Sequence, residues 1–295
     1  MNKAPIVFLD SGMGGLPYLQ ATRALLPGTP FIYVADTAHF PYGTRSEDDI
    51  RAILAGLVER VLDRFDPAVV VLACNTGSVV ALSDLRDRFP VPFVGVVPAV
   101  KPAAREARAG EIVILSTART ADGEYLAGLL ENFAADTPVS IVAAGALVDF
   151  VERRFTPERA GEARAAVRDA LSGIDPAASD AVVLGCTHFT HLAPEIQREL
   201  GPAVRVIDSR AGVARRVAEL AGAGGGPAGG PAGGAGGPPI EGGGRDGGGS
   251  GGLAGRLYVT GAEEGAEAGS ESDAAAARYQ ALSAHYGLSF EGRFE

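Results

Sequence analysis

Asp66-Pro-Ala-Val-Val-Val-Leu-Ala-Cys74-Asn-Thr76 and Asp180-Ala-Val-Val-Leu-Gly-Cys186-Thr187 are two versions of one phrase. In each, an acidic residue leads into a run of aliphatic, mostly β-branched side chains, and the run stops at a cysteine followed by small polar residues. Such a run suits a parallel strand covered on both faces. A second echo precedes each phrase: Ile6-Val-Phe-Leu-Asp-Ser11 is answered by Ile112-Val-Ile-Leu-Ser-Thr117. Ile6 lies 68 positions before Cys74 and Ile112 lies 74 before Cys186, so the chain reads as two related α/β halves, each ending a buried strand at a cysteine.

Around these phrases strands and helices alternate. Ile6 to Leu9 and Phe31 to Ala35 read as strands, the first running into the turn Asp10-Ser11-Gly12. Ser46, with Asp49 three residues on, reads as a helix start of the capping-box kind. Ile50, Ile53, Leu54, Leu57, Val58, Val61, Leu62 and Phe65 then recur at the spacing of one buried helix face. Ala68 to Ala73, Ile112 to Leu115, Val139 to Ala143 and Ala181 to Leu184 are further strands. Helices are expected over Val79 to Phe89, Gly123 to Phe133, Pro157 to Leu171 and Pro194 to Leu200. Strand and helix in turn predict an α/β fold with mostly parallel sheets. From Gly222 to Gly252, 18 of 31 residues are glycine, too few side chains to offset the entropy of ordering, and a flexible loop is expected. Arg256 to Thr260 reads as a strand after it, and Ala274 to Tyr286 as a helix.

Composition narrows the function. The formal charge is −10, and lysine occurs only at Lys3 and Lys101. Nucleic acid and anionic membranes call for clustered cations, so neither is expected as a partner. No apolar run approaches the ~20 residues of a membrane span. The opening MNKAPIVFLD meets Asp10 before a signal-peptide core could form. Two cysteines are too few for a disulfide framework or a thiolate metal site, and a reduced, cytoplasmic protein without metal is expected.

Each cysteine falls just past the carboxyl end of a buried strand, at the rim where open α/β sheets bind ligands. The N-terminus of a following helix offers free N–H groups and positive potential, which would lower a thiol's pKa and suit a carboxylate ligand. One cysteine there reads as readily as a small buried hydrophobe. Two in matching settings read as a pair of acid–base groups facing one substrate. Asp10-Ser-Gly-Met-Gly-Gly15 is a glycine-rich turn after a strand but lacks the GxGxxG order, so a dinucleotide site is not expected. Asp10 there also reads as a helix N-cap, and His188, His191, His39 and His285 as core or surface residues.

Phe8-Leu-Asp-Ser-Gly-Met-Gly-Gly-Leu16, Tyr33-Val-Ala-Asp36, Pro41-Tyr-Gly-Thr44, Ala73-Cys-Asn-Thr-Gly-Ser78, Gly95-Val-Val-Pro-Ala-Val-Lys-Pro102 and Leu184-Gly-Cys-Thr-His188 occur in an order that resembles the cofactor-independent aspartate/glutamate racemases, glutamate racemase in particular. The resemblance implies two pseudo-symmetric α/β domains with the site in the cleft between them. It implies Cys74 and Cys186 as bases on opposite faces of the glutamate Cα, the first acting on the D-enantiomer and the second on the L-enantiomer. Asp10, His188 and Glu152 would assist them. Substrate contacts would fall on Asp10, Ser11, Tyr42, Gly43, Asn75, Thr76, Thr120, Thr187 and His188. No cofactor is implied; a homodimer and a supply of D-glutamate for peptidoglycan are.

The chemistry explains the residue types. Racemisation removes a proton from one face of Cα and returns one to the other, so two fixed groups in opposite protonation states suffice. A thiol, with an unperturbed pKa of about 8.5, is tunable into both roles. Without pyridoxal phosphate, oriented donors around the α-carboxylate must stabilise the carbanion. The chain departs from the family at Gly77, at Arg119, in Ala144-Gly-Ala-Leu147, and in Phe189-Thr190-His191, where Tyr-Pro-Leu is common. The alternatives are a racemase of aspartate or a hydantoin-type substrate, or a binding protein on the same fold. Residues 1–97 with 210–295 are expected as one domain and 98–209 as the other.

Overall fold

The computed structural model describes residues 3–121, 123–156, 159–222, 255–261 and 270–294. Most of the glycine-rich segment, at 223–252, and Pro157 lie outside them. Two parallel sheets organise the chain. The first contains β1 (Ile6–Asp10), β2 (Phe31–Ala35), β3 (Val69–Leu72), β4 (Phe93–Gly95), β9 (Gly255–Val259) and β10 (Leu288–Arg293), in the order β10-β9-β2-β1-β3-β4. The second contains β5 (Glu111–Ser116), β6 (Val139–Ala143), β7 (Ser179–Leu184) and β8 (Arg205–Ile207), in the order β6-β5-β7-β8. The run β2-β1-β3-β4 has the same order as β6-β5-β7-β8, so the echoes in the sequence are echoes in topology. Ile6 pairs with Val69 as Ile112 pairs with Ala181, and each cysteine follows the equivalent strand.

Both faces of the sheets are covered at β1, β2, β3, β5 and β7, which is why these strands read as unbroken apolar runs. Along β1, Ile6 and Phe8 point into one core while Val7 and Leu9 point into another, the period of two that a pleated strand imposes. The Ile6 and Phe8 core runs on to Val113, Leu115, Val182 and Leu184, joining the two sheets in one apolar mass. The opposite face of the first sheet packs on α2 (Glu47–Phe65) and α3 (Asn75–Arg88); that of the second packs on α4 (Val100–Glu106) and α6 (Glu124–Phe133). Ser46 caps α2, its hydroxyl accepting from the Asp49 N–H at 3.2 Å.

Several elements give little sequence signal. β4 and β8 are three residues each, too short to show a period. α1 (Leu16–Leu25) and α7 (Gly145–Arg154) begin at Gly15 and Ala144 with no side-chain cap. α5 (Ala118–Ala121) is a single turn, and α10 (Arg210–Gly222) packs on α1. α8 (Ala160–Leu171) and α9 (Ala193–Leu200) match expectation, and α11 (Ser270–His285) is longer at its start than its apolar pattern suggests. α3 starts at Asn75 rather than Val79, because Cys74 itself is its N-cap.

Candidate active site

β3 delivers Cys74 in an extended conformation, and its sulfur accepts from the Gly77 N–H at 3.5 Å. β7 delivers Cys186 in the same extended conformation, followed by a tight helical turn over Thr187–Leu192. The two segments meet. The Asn75 amide Nδ2 donates to the Gly185 carbonyl at 2.6 Å, and the Thr187 hydroxyl donates to Asp10 Oδ2 at 3.2 Å. Cys186 lies near enough to be among the charges that raise the Cys74 thiol.

The turn after β1 is the third wall. Asp10 is the last residue of that strand and does not cap a helix: its Oδ1 accepts from the Gly12 N–H at 3.2 Å, closing a small turn, while Gly15 stands at the start of α1. Glycine is required in this turn by close approach. A Cβ on Gly12 would stand 2.5 Å from Glu152 Oε2, and one on Gly14 would stand 2.4 Å from Thr187 Oγ1 and 2.7 Å from His188 Nδ1. The Tyr33 hydroxyl fixes the turn by donating to the Gly12 carbonyl at 2.8 Å and accepting from the Gly15 N–H at 3.0 Å.

Two assemblies of opposite character flank the cysteines. Beside Cys186, the His188 Nδ1 lies 3.7 Å from the sulfur and Nε2 lies 3.0 Å from Glu152 Oε2. Glu152 also accepts from the Met13 N–H at 3.1 Å and from the Tyr279 hydroxyl. Burial disfavours charge on this pair, but the Cys186 and Glu152 contacts outweigh it and hold His188 well above its ordinary pKa. Burial is outweighed in the same way at Glu152, which His188, Tyr279 and Met13 hold below the usual carboxylate range. Each partner thus favours the charged form of the other, imidazolium at His188 and carboxylate at Glu152.

Beside Cys74 the balance is reversed. Burial and the Asp10 carboxyl push the Cys74 thiol up, against the Gly77 N–H and the Ser11 hydroxyl, which hydrogen-bonds its sulfur. The expectation that a helix N-terminus would lower this thiol is thus corrected: one weak N–H contact does not offset burial next to an acid. Burial also pushes Asp10 up to about 7, with His188, the Gly12 N–H and the Thr187 hydroxyl opposing and Glu152 adding to it.

The remaining expected residues are distributed unevenly. Asn75, Thr76, Thr187 and Ser11 are buried around the two sulfurs. Because Asn75 Nδ2 must face the Gly185 carbonyl, its Oδ1 faces the other way, and it has no partner among the described residues. Tyr42 is buried, and its hydroxyl donates to Asp36 Oδ2 at 2.7 Å. Gly43 follows in the same short turn, with open space where a Cβ would project. Thr120 is buried on α5, which packs against that turn, and its hydroxyl lies 3.1 Å from that of Thr117.

Sequence reasoning missed four contributors. Asp36 is a buried hub for the loop carrying Tyr42, accepting from Tyr42, from the Thr260 hydroxyl at 2.7 Å and facing His39 Nδ1 at 2.9 Å. Its place at the end of β2 was the available signal. Phe40 lays its ring 6.0 Å from that of His188. Tyr279 and Tyr286 come from the chain beyond the glycine-rich segment, where nothing in the local pattern marks them. His285 is exposed, whereas His39 joins the Asp36 hub and His191 is fully enclosed.

Residues 18–217 match the family described as Asp/Glu/Hydantoin racemase. The chain belongs to that family. Within it, the chain is 42% identical over 222 residues to the glutamate racemase of Sphingopyxis alaskensis, covering 74% of this chain and 82% of that one. It is 41% identical over 225 residues to that of Deinococcus radiodurans, covering 75% and 76%. Among solved structures, the racemase of Escherichia coli, in complex with L-glutamate and the activator UDP-MurNAc-Ala, superposes with a TM-score of 0.76 at 29% identity over 99% of this chain and 98% of that one. The family relationship makes this chain an amino-acid racemase and accounts for the paired parallel sheets. Among the described residues no helix is long and apolar enough to cross a membrane.

Proposed function

We propose that this racemase interconverts L-glutamate and D-glutamate with Cys74 and Cys186 as its two bases. The observation that carries the reading is the placement of two cysteines at equivalent strand ends, in segments joined by the Asn75–Gly185 hydrogen bond, with Cys186 3.7 Å from His188 Nδ1 and Cys74 near the Asp10 carboxyl. An imidazolium next to sulfur favours thiolate, and a buried thiol next to an acid stays protonated. In that state the Cys186 thiolate removes the Cα proton of L-glutamate, and the Cys74 thiol delivers its proton to the opposite face. The product is D-glutamate, with thiol at Cys186 and thiolate at Cys74. To restore the starting state, the Asp10 carboxyl gives a proton to the Cys74 thiolate and regains one from solvent, while His188 first releases its own proton toward solvent and then takes the one on Cys186, positioned throughout by Glu152.

The substrate's groups have matching receptors. The unpartnered Asn75 Oδ1 suits an ammonium donor, and the N-terminal N–H groups of α3 with the Thr76 hydroxyl suit the α-carboxylate, where charge builds as the proton leaves. Tyr42 contributes through the backbone of the Tyr42-Gly43 turn, since its hydroxyl is engaged, and Thr120 lies at the far end of the same wall. Residues 1–97 with 210–295 would move against 98–209 about Val97-Pro98 and Ser209 to admit substrate. Dimerisation, a cytoplasmic setting and a supply of D-glutamate for peptidoglycan belong to the same reading.

Exchange of the Cα proton with deuterated solvent tests it. Glutamate should gain one deuterium per inversion, and aspartate and hydantoins should exchange far more slowly. Cys74→Ala or Cys186→Ala should abolish inversion; near-normal turnover by either variant would rule out a two-thiol mechanism.

A further inference from the structure

His191 is buried and bonded at both ring nitrogens. Its Nε2 lies 2.9 Å from the Met13 carbonyl and its Nδ1 lies 3.0 Å from the Tyr286 hydroxyl. A carbonyl only accepts, so Nε2 carries the proton and Nδ1 accepts from Tyr286. Burial, opposed by the Met13 contact, pushes this imidazole down to about 3, so it is neutral throughout the working range. The Met13 peptide is thus gripped from both ends: its carbonyl by His191, its N–H by Glu152.

A second phenol reaches the same carboxylate directly. Tyr279 donates to Glu152 Oε1, leaving Oε2 for Met13 and His188. Burial and the Glu152 charge hold this phenol well above its ordinary range, so it remains a donor. Tyr279 lies on α11 and Tyr286 one residue past its end, on the side of β9 and β10, whereas Glu152, His188 and His191 follow strands of the other sheet.

We propose that the C-terminal helix α11 is a positioning element of the active site: Tyr279 through Glu152, and Tyr286 through His191 and the Met13 peptide, hold the His188 imidazole in line with the Cys186 sulfur. The hydrogen bonds divide the work. Tyr279 fixes one carboxylate oxygen, and the His191–Met13 link fixes the N–H that steers the other. A carboxylate held at both oxygens cannot rotate, and the imidazole bonded to it keeps its aim. The inference rests on reading Cys186 and His188 as a proton-transfer pair.

The test uses the full chain with Tyr279→Phe, Tyr286→Phe and His191→Leu, each compared per folded molecule by circular dichroism. Tyr279→Phe should lower kcat for glutamate about tenfold in both directions while KM stays within about twofold, because misaimed proton transfer costs rate and no substrate contact is lost. Tyr286→Phe should lower kcat less, and should add less than about twofold once His191→Leu is present, since the two act through one path. In a Cys74→Ser background, the pH midpoint for alkylation of Cys186 by iodoacetamide should move up in Tyr279→Phe, a shift that a packing role would not produce. Unchanged kcat and an unmoved midpoint in Tyr279→Phe would overturn the proposal, as would fully additive losses for Tyr286→Phe and His191→Leu. Failure of the unaltered chain to racemise glutamate would instead sink the functional reading, while the alkylation midpoint would still decide whether α11 tunes Cys186.

Discussion

The Asn75 amide donates to the Gly185 carbonyl at 2.6 Å, so the residue after one cysteine is bonded to the residue before the other. This bond joins the ends of β3 and β7 across 110 positions of sequence, at the residues that flank the two cysteines. It also orients the amide, turning its oxygen toward where a substrate ammonium would lie.

Asn75→Ala tests that bond. It leaves the Gly185 carbonyl buried without its donor, which costs about 1–3 kcal/mol. The melting temperature should fall, and KM for glutamate should rise more than kcat falls. A variant with both Tm and KM unchanged would refute the arrangement.

The burial of Asp10 makes stability depend on pH. Its pKa rises from an ordinary 3.8 to about 7, so between these values the folded protein binds a proton that the unfolded chain has released. Stability from this residue is therefore greatest at low pH and declines as pH rises toward 7. Asp10→Asn removes the titration while keeping an acceptor for the Gly12 N–H. Its Tm relative to the unaltered protein should improve from pH 5 to pH 8 even as racemisation is lost. A pH-independent difference would count against a buried, proton-holding Asp10.

The Glu152 carboxylate runs the other way. A depressed carboxylate contributes stability above its unfolded pKa and loses it as pH falls through the lower folded value. Glu152→Gln strips a buried imidazolium of its partner, a change worth about 3–5 kcal/mol at neutral pH. The deficit in Tm should be large at pH 7 and should narrow in acid. Equal deficits at both ends would mean that the pair is not ionised.

Gly14→Ala probes the close approach of the β1 turn to the second cysteine segment. The added methyl would need the space of Thr187 Oγ1 and His188 Nδ1, both anchored by hydrogen bonds. Displacing the imidazole by ~1 Å should cost about 100-fold in kcat. Steady-state rates within tenfold of normal would show that the turn has more freedom than its contacts imply.

The residues most legible in the sequence were those whose role is local. A buried parallel strand announces itself as Val-Val-Val-Leu, and a cysteine at its end needs only the neighbouring residues to be placed. Glu152 and His188 were named only through their resemblance to a family. Nothing in Leu147–Arg154 indicates which sheet's cysteine the carboxylate will serve. At Tyr42 the motif marked the residue but not its partner: Asp36, one strand end away, accepts from its hydroxyl.

By itself, then, the sequence determined the strands, their parallel pairing in two halves, and the two cysteines at matching ends, because periodicity and strand-end position act over a few residues. Tertiary structure alone decided which cysteine faces an imidazolium and which an acid, and it alone brought Tyr279 and Tyr286 to that imidazolium. Those outcomes depend on burial and on groups from separate segments, 36 residues apart for Glu152 and His188 and 127 for Tyr279 and Glu152. A proton's affinity for sulfur is set by what surrounds it in space.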